Sequence, residues 1–149
     1  MHFIDLNATT LHFKKTSSDT AAPALVLINS LGTDFRIWDE FLLHLGHQGE
    51  VLTYDKRGHG LSGVGDARFS IDLHMRDLAA LMDSQGIKNA VICGVSVGGM
   101  IAMALQAARP DLVRGSSCVI PHHALVTLRG GRTASTRLRP TGWRGSPMR

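Results

Sequence analysis

Residues 94–98 read Gly-Val-Ser-Val-Gly, so Ser96 lies between two glycines, each two positions away. An apolar run at 90–93 precedes this pattern, and an apolar segment of small residues follows it at 100–108. A sharp turn between a strand and a helix can expose a serine hydroxyl for attack on a carbonyl carbon, and glycines relieve the crowding in such a turn. The pattern therefore predicts that Ser96 is a nucleophile; a turn that merely links a strand to a helix is the alternative. The glycines assigned to this turn are Gly94, Gly98 and Gly99.

Attack on a carbonyl produces an oxyanion, which backbone amides must stabilise. The amide of Val97, directly after the serine, is one natural donor. A second donor is expected from the loop after an earlier strand, where residues 29–34 read Asn-Ser-Leu-Gly-Thr-Asp. We predict Leu31 as this donor, with Gly32 allowing close approach. The alternative is an ordinary strand-to-helix loop in which Thr33 or Asp34 caps the helix.

The surrounding sequence alternates between short apolar runs and segments of helical spacing. The apolar runs predict buried strands at 24–28, 51–54 and 90–93. The other segments predict helices at 38–45, at 70–82 with Ser70 as N-cap, and at 100–108. Alternation at 2–6 and 10–14 predicts an antiparallel hairpin at a sheet edge. This order is typical of an α/β fold, with a mostly parallel sheet and helices on both faces. In the first helix, one side is formed by Phe41, Leu42 and Leu45.

Length and charge indicate one domain with an unusual ending. The 149 residues, 44% of them hydrophobic, suffice for a single core. Nine Lys and Arg stand against twelve Asp and Glu up to Val113, and seven Arg with no acid follow. We therefore predict a domain at 1–113 and a basic, Arg-rich tail at 114–149. No apolar stretch reaches the roughly 20 residues of a membrane span, and the N-terminus lacks a secretory pattern. We expect a cytoplasmic location and no membrane partner.

Three stretches carry a resemblance to a known family: Asn-Ser-Leu-Gly-Thr-Asp-Phe-Arg-Ile-Trp-Asp at 29–39, Tyr-Asp-Lys-Arg-Gly-His-Gly-Leu-Ser at 54–62, and Gly-Val-Ser-Val-Gly-Gly-Met-Ile at 94–101. On these residues the chain resembles the N-terminal half of an α/β-hydrolase. It is similar in particular to the 3-oxoadipate enol-lactonases of the β-ketoadipate pathway. The Arg-Gly-His-Gly-x-Ser pattern at 57–62 is widespread in the superfamily, whereas the loop at 29–34 is typical of the lactonase group.

The resemblance implies a serine hydrolase that opens a small enol-lactone with a serine, a histidine and an acid. It implies no cofactor and no metal. Independently, two cysteines, Cys93 and Cys118, are too few for a disulfide framework or a metal cluster. Arg36 could pair with a substrate carboxylate, or be an exposed arginine at the start of a helix. The expected partner is a small-molecule lactone or ester. An esterase or a carbon-carbon bond hydrolase of the same fold is the alternative.

The end of the chain departs from the family pattern. The family order is serine, acid, histidine, but the only acid after Ser96 is Asp111, and the only histidines are His122 and His123. We therefore expect an incomplete triad, impaired activity, a sheet truncated before its later strands, and no regular structure at 115–149.

A single base lost in the codon of Gly115 would account for this ending. If the two following serines use TCN codons, the restored frame reads as an apolar run where the family has a buried strand. A non-catalytic remnant whose basic arm binds nucleic acid is the competing interpretation. The arginines of the tail are scattered, however, and Trp143 is its only aromatic residue. We therefore expect no nucleic-acid partner.

Overall fold

The structure, a computed structural model, describes residues 1–66, 68–120, 124–129 and 132–137, with side chains up to Ser116. One sheet contains the strands β1 (His2–Leu6), β2 (Thr9–Thr16), β3 (Leu25–Ile28), β4 (Val51–Tyr54), β5 (Ala90–Val95), β6 (Val113–Ile120), β7 (Ala124–Arg129) and β8 (Arg132–Arg137). Their order across the sheet is β1-β2-β4-β3-β5-β6-β7-β8. The central strands β4, β3, β5 and β6 run parallel, and antiparallel strands lie at both edges. The predicted α/β sheet and its edge hairpin are confirmed.

Three helices connect the central strands in the described part of the chain: α1 (Asp39–Leu45), α2 (Ile71–Ser84) and α3 (Val97–Ala108). A 3₁₀ turn, Phe35–Trp38, leads into α1. Ser70 is the N-cap of α2, as predicted, because its hydroxyl accepts a hydrogen bond from the Leu73 amide at 3.0 Å. None of the described helices is long and apolar enough to cross a membrane.

The sheet separates two apolar clusters because successive strand residues point to opposite faces. Val26 and Ile28 belong to the larger cluster, which packs against α2 and α3. Leu25 and Leu27 belong to the smaller one, which packs against Trp38 and Leu42 on the other face. The prediction of helices on both faces is therefore confirmed.

The packing of α1 differs from the prediction made from its spacing. No residue of α1 is buried, and Phe41 and Leu45 are 41% and 42% exposed. Leu42 is the only residue of α1 that packs against the smaller cluster. Trp38, in the 3₁₀ turn before the helix, is 5% exposed and makes the main contact with this face of the sheet. A single turn of chain before α1 thus covers the surface that the apolar side of the helix was expected to cover.

Three strands lie between residues 113 and 137, where the sequence predicts a sheet that has already ended and a tail without regular structure. The predicted boundary at 113/114 falls inside β6, which pairs in parallel with β5 from Ala90 to Val95. Strand β7 pairs antiparallel with β6, and β8 pairs antiparallel with β7. The physical reason is the edge of β5, which would otherwise present a row of unpaired amides and carbonyls. Backbone pairing of this kind does not need the apolar run that the family pattern has at this strand.

Candidate active site

Ser96 is the single residue between β5 and α3. Its backbone has φ 54° and ψ −117°, a conformation that residues with a side chain rarely adopt. Such strain costs on the order of 1–3 kcal/mol and persists only where the surrounding structure imposes it. The sharp strand-to-helix turn that the sequence predicts is therefore present, with the predicted nucleophile at its apex.

The glycines of this turn are required by close approach of the backbone. A Cβ on Gly94 would lie 2.6 Å from the Gly99 amide nitrogen and closer still to the carbonyl group of Gly98. A Cβ on Gly98 would lie 2.9 Å from the Asn29 carbonyl oxygen and closer still to that of Ile28. Gly99, also buried, donates its amide to the Ser96 carbonyl at 2.9 Å. The first turn of α3 is thus pressed against the end of β3.

The Ser96 side chain is half-buried and makes no capping hydrogen bond to α3. Within the described residues, no histidine and no carboxylate forms a hydrogen bond with it. The amide of Val97 is the first of α3, and the first amides of a helix have no partner within the helix. They also carry the partial positive charge of the helix N-terminus. The turn therefore presents a hydroxyl beside an available donor.

The loop at 29–34 lies at the same edge of the sheet, because β3 and β5 are parallel neighbours with Ile28 opposite Gly94. Leu31 is 71% exposed, and Gly32 has a left-handed φ of 70°. Asn29 is fully buried, and its side-chain amide donates to the Thr33 carbonyl. The structure thus brings the loop that contains the predicted donor Leu31 to the edge where Ser96 lies.

The capping alternative for this loop is present in the structure. Asp34 is the N-cap of the 3₁₀ turn, and its carboxylate accepts from the Arg36 amide at 2.9 Å. The Arg36 side chain, 76% exposed, pairs with both carboxylate oxygens of Asp34, at 2.8 and 2.6 Å. These hydrogen bonds lower the pKa of Asp34 to about 2. A role of Arg36 in binding a substrate carboxylate stays a prediction, and Asp34 would compete for the same guanidinium.

Sequence reasoning missed three buried charged residues, Asp55, Lys56 and Arg57, that follow β4. Lys56 is 1% exposed, and its ammonium donates to the carbonyl oxygens of Asn29 and Ser30, both at 3.0 Å. Burial lowers the pKa of Lys56 to about 8. The only sequence signal is the position of these charges directly after an apolar run, where the carboxyl end of a parallel strand meets the site.

Asp55, 2% exposed, ties three segments together. One carboxylate oxygen accepts from the Phe35 amide at 2.9 Å, and the other accepts from the Leu61 amide at 3.0 Å. The second oxygen also lies 2.8 Å from His12 Nδ1 on β2. Asp55 therefore fixes the loops after β3 and β4 relative to the edge hairpin. The described residues contain no group of three or more His, Cys, Asp or Glu that could hold a metal ion.

The strained backbone of Ser96 leads to a prediction about the stability of the protein. Replacing Ser96 with glycine should raise the free energy of unfolding by about 1 kcal/mol, because the relief of φ strain exceeds the added flexibility of the unfolded chain. No capping bond is lost, since the hydroxyl makes none to α3. The measurement is chemical denaturation, with Ser17→Gly as the control at an exposed loop residue without positive φ. Equal changes in both variants would contradict the strain argument.

The comparisons agree with this geometry. Residues 23–128 match the family described as alpha/beta hydrolase fold. The chain is 43% identical over 91 residues to 3-oxoadipate enol-lactonase 1 of Acinetobacter baylyi, a match that covers 59% of this chain and 34% of that protein. It is 40% identical over 106 residues to lipase LipV of Mycobacterium tuberculosis, covering 70% of this chain and 40% of the lipase.

A solved structure with the same architecture is the enol-lactonase from Burkholderia xenovorans LB400. It superimposes with a TM-score of 0.71 at 36% identity, covering 76% of this chain and 44% of that one. The chain therefore spans about a third of the length of the first curated relative and less than half of this structure.

Proposed function

The chain belongs to the α/β hydrolase fold family, and from that premise we propose that Ser96 is the nucleophile of a serine hydrolase whose substrate is a small enol-lactone. One observation carries the proposal: Ser96 is held at φ 54° between β5 and α3 by glycines that leave no room for a side chain. Similarity to two enol-lactonases supports the substrate class. A small-molecule substrate and a cytoplasmic location are part of the same prediction.

In the proposed reaction, the Ser96 hydroxyl oxygen bonds to the lactone carbonyl carbon while a base takes its proton. The carbonyl oxygen becomes an oxyanion that accepts hydrogen bonds from the amides of Leu31 and Val97. Collapse of this intermediate breaks the ring carbon–oxygen bond and leaves an acyl group on Ser96. Water then releases the acid and restores the hydroxyl. These steps need no cofactor.

We propose that turnover by this chain is impaired, because serine attack depends on a base and on an acid that orients it. In the described part of the chain, no such group is hydrogen-bonded to Ser96. A lost base near codon 115 belongs to the same proposal, and the division at 113/114 then marks a change of reading frame, across which β6 runs in the structure. Sequencing the gene across codons 110–120 tests them: a read that restores the apolar run supports the frameshift, and a read identical to the present one contradicts it.

A simple ester is the second candidate substrate, and the similarity to a lipase over 70% of the chain favours it. A carbon-carbon bond hydrolase and a non-catalytic remnant with a basic arm have less support. Retention on DNA that falls with salt, and that is lost when residues 114–149 are removed, would favour the arm.

The direct test compares this chain with Ser96→Ala on the enol-lactone and on p-nitrophenyl acetate. We expect weak hydrolysis, up to the residual 10³–10⁴-fold over water that oxyanion stabilisation and binding provide without a full triad. In a chain with the reading frame restored, we expect Ser96→Ala to lower the hydrolysis of both substrates by roughly a thousandfold or more, since the covalent route is removed. Ser62→Ala is the control, because Ser62 is a buried structural hydroxyl that donates to the Asp55 carbonyl at 2.6 Å. Equal rates for the restored chain with and without Ser96→Ala contradict the proposed nucleophile.

A further inference from the structure

We propose that Lys56 is a positioning residue that holds the amide of Leu31 in the orientation needed to bind the oxyanion. This inference rests on the proposed function. Lys56 acts through the peptide group that joins Ser30 to Leu31, since its ammonium donates to the Ser30 carbonyl at 3.0 Å.

The geometry of a peptide group links the two ends of this interaction. The described residues contain no cis peptide bond, and in a trans peptide the C=O and N–H groups point in opposite directions. The Ser30 carbonyl and the Leu31 amide belong to one such plane. A buried ammonium that fixes the carbonyl therefore also fixes the direction of the Leu31 N–H, which points away from Lys56.

Packing of the loop cannot perform this task by itself. Leu31 is 71% exposed, so its side chain does not anchor the loop. Instead, hydrogen bonds hold the backbone: Lys56 also donates to the Asn29 carbonyl at 3.0 Å, and the Thr33 hydroxyl donates to the Ser30 carbonyl at 3.0 Å. The Asn29 carbonyl in turn lies against Gly98 in the first turn of α3. Lys56 is thus the one side chain bonded to both of the carbonyls that precede the predicted donor, among the residues described.

The charge of Lys56 adds a second effect. An ammonium on the Ser30 carbonyl polarises the peptide group and makes its N–H a stronger donor. Burial lowers the pKa of Lys56 to about 8, while the adjacent Asp55 opposes this shift. The polarisation should therefore be present at pH 7 and lost as the pH rises through about 8.

Other ionisable groups lie near this ammonium. Asp55 acts on Lys56 directly, and His74 on α2 responds to the charges of Lys56, Asp77, His59 and Arg57. Burial and the charge of Lys56 lower the pKa of His74 below 6.5, so His74 titrates at lower pH than Lys56. A change with a midpoint near pH 8 can therefore be distinguished from titration of His74.

The test uses the full chain, with Lys56→Met as the variant and Lys15→Met as the control. Lys15 likewise donates to a main-chain carbonyl, that of Gln85 at 2.8 Å, but at the far end of α2. The first measurement is the rate at pH 7 of Ser96 phosphonylation by a p-nitrophenyl phosphonate. In this reaction the serine oxygen bonds to phosphorus, p-nitrophenolate leaves, and the proton passes to water. The second is the pH dependence of the Leu31 amide resonance by NMR.

We expect Lys56→Met to slow phosphonylation about tenfold or more and Lys15→Met to change it less than twofold. We expect the Leu31 resonance to shift with a midpoint near pH 8 in the parent chain and in Lys15→Met, but not in Lys56→Met. Phosphonylation that is equally fast in Lys56→Met overturns the inference alone. A parent chain in which Ser96 is not labelled contradicts the proposed function, and the inference falls with it. If Lys56→Met does not fold, absence of the pH 8 shift in the parent chain overturns the inference, and its presence supports it.

Discussion

We expect Gly98→Ala to lower the free energy of unfolding by about 3 kcal/mol or more, although the change adds only one methyl group. The new Cβ would lie 2.9 Å from the Asn29 carbonyl oxygen and closer still to that of Ile28. Both atoms belong to the backbone at the end of β3, so neither can rotate away as a side chain would. To relieve this overlap, either α3 must move away from the sheet or β3 must lose its pairing with β5. A loss of this size is a large part of the 5–15 kcal/mol that stabilises a typical domain.

Chemical denaturation of Gly98→Ala and Gly46→Ala gives the comparison. Gly46 has φ 60°, and a Cβ added there would have no atom within 4 Å, so alanine incurs only the cost of the left-handed conformation, about 1 kcal/mol. The difference between the two variants isolates the clash. Gly98→Ala should also lose any reaction of Ser96, since Val97 moves with the first turn of α3. Equal destabilisation at the two sites would show that α3 does not depend on contact with β3.

Arg57→Met should lower the free energy of unfolding by about 3–5 kcal/mol, because it leaves the carboxylate of Asp77 buried without its cationic partner. Both side chains are 1% exposed, and Arg57 donates to the two oxygens of Asp77 at 2.8 and 2.9 Å. It also donates to the Asn7 carbonyl at 2.7 Å. The interaction raises the pKa of Arg57 further, so the guanidinium stays charged at any accessible pH. Its removal cannot be compensated by water at this depth.

Two further variants separate this effect from the loss of an arginine in general. Arg76→Met removes an ion pair with Asp72 on the surface of α2, where the two side chains are 62% and 66% exposed. Such a pair contributes about 0.3–0.5 kcal/mol. The double variant Arg57→Met with Asp77→Leu removes both buried charges and should recover much of the lost stability. If Arg57→Met and Arg76→Met unfold at the same denaturant concentration, the buried pair contributes nothing.

Local patterns were enough to predict the elements around Ser96. The hairpin, the central strands and the capping of α2 by Ser70 follow from alternation, apolar runs and a single polar residue. The turn at Ser96 follows from glycine spacing, since each glycine has a steric reason that acts over a few residues. These parts of the fold depend on interactions between residues that are close in the chain.

The buried charges could not be predicted in the same way. Lys56, Asp55 and Arg57 read as polar loop residues, and their burial depends on partners 20 to 50 positions away. The apolar side of α1 stays exposed because Trp38, in the preceding 3₁₀ turn, already covers that face of the sheet. The strands after α3 lack a strong apolar pattern in the sequence. They are held instead by backbone pairing, which begins where β6 pairs with β5.

The backbone contacts that leave no room for side chains at Gly94 and Gly98 come from β3, from the loop after it and from α3, while β6 pairs with β5 as far as Val95. During synthesis, domains form from the N-terminus onward as the chain leaves the ribosome. The Ser96 turn can therefore begin to form in a nascent polypeptide once α3 has emerged, and the pairing of β6 with β5 supports it afterwards.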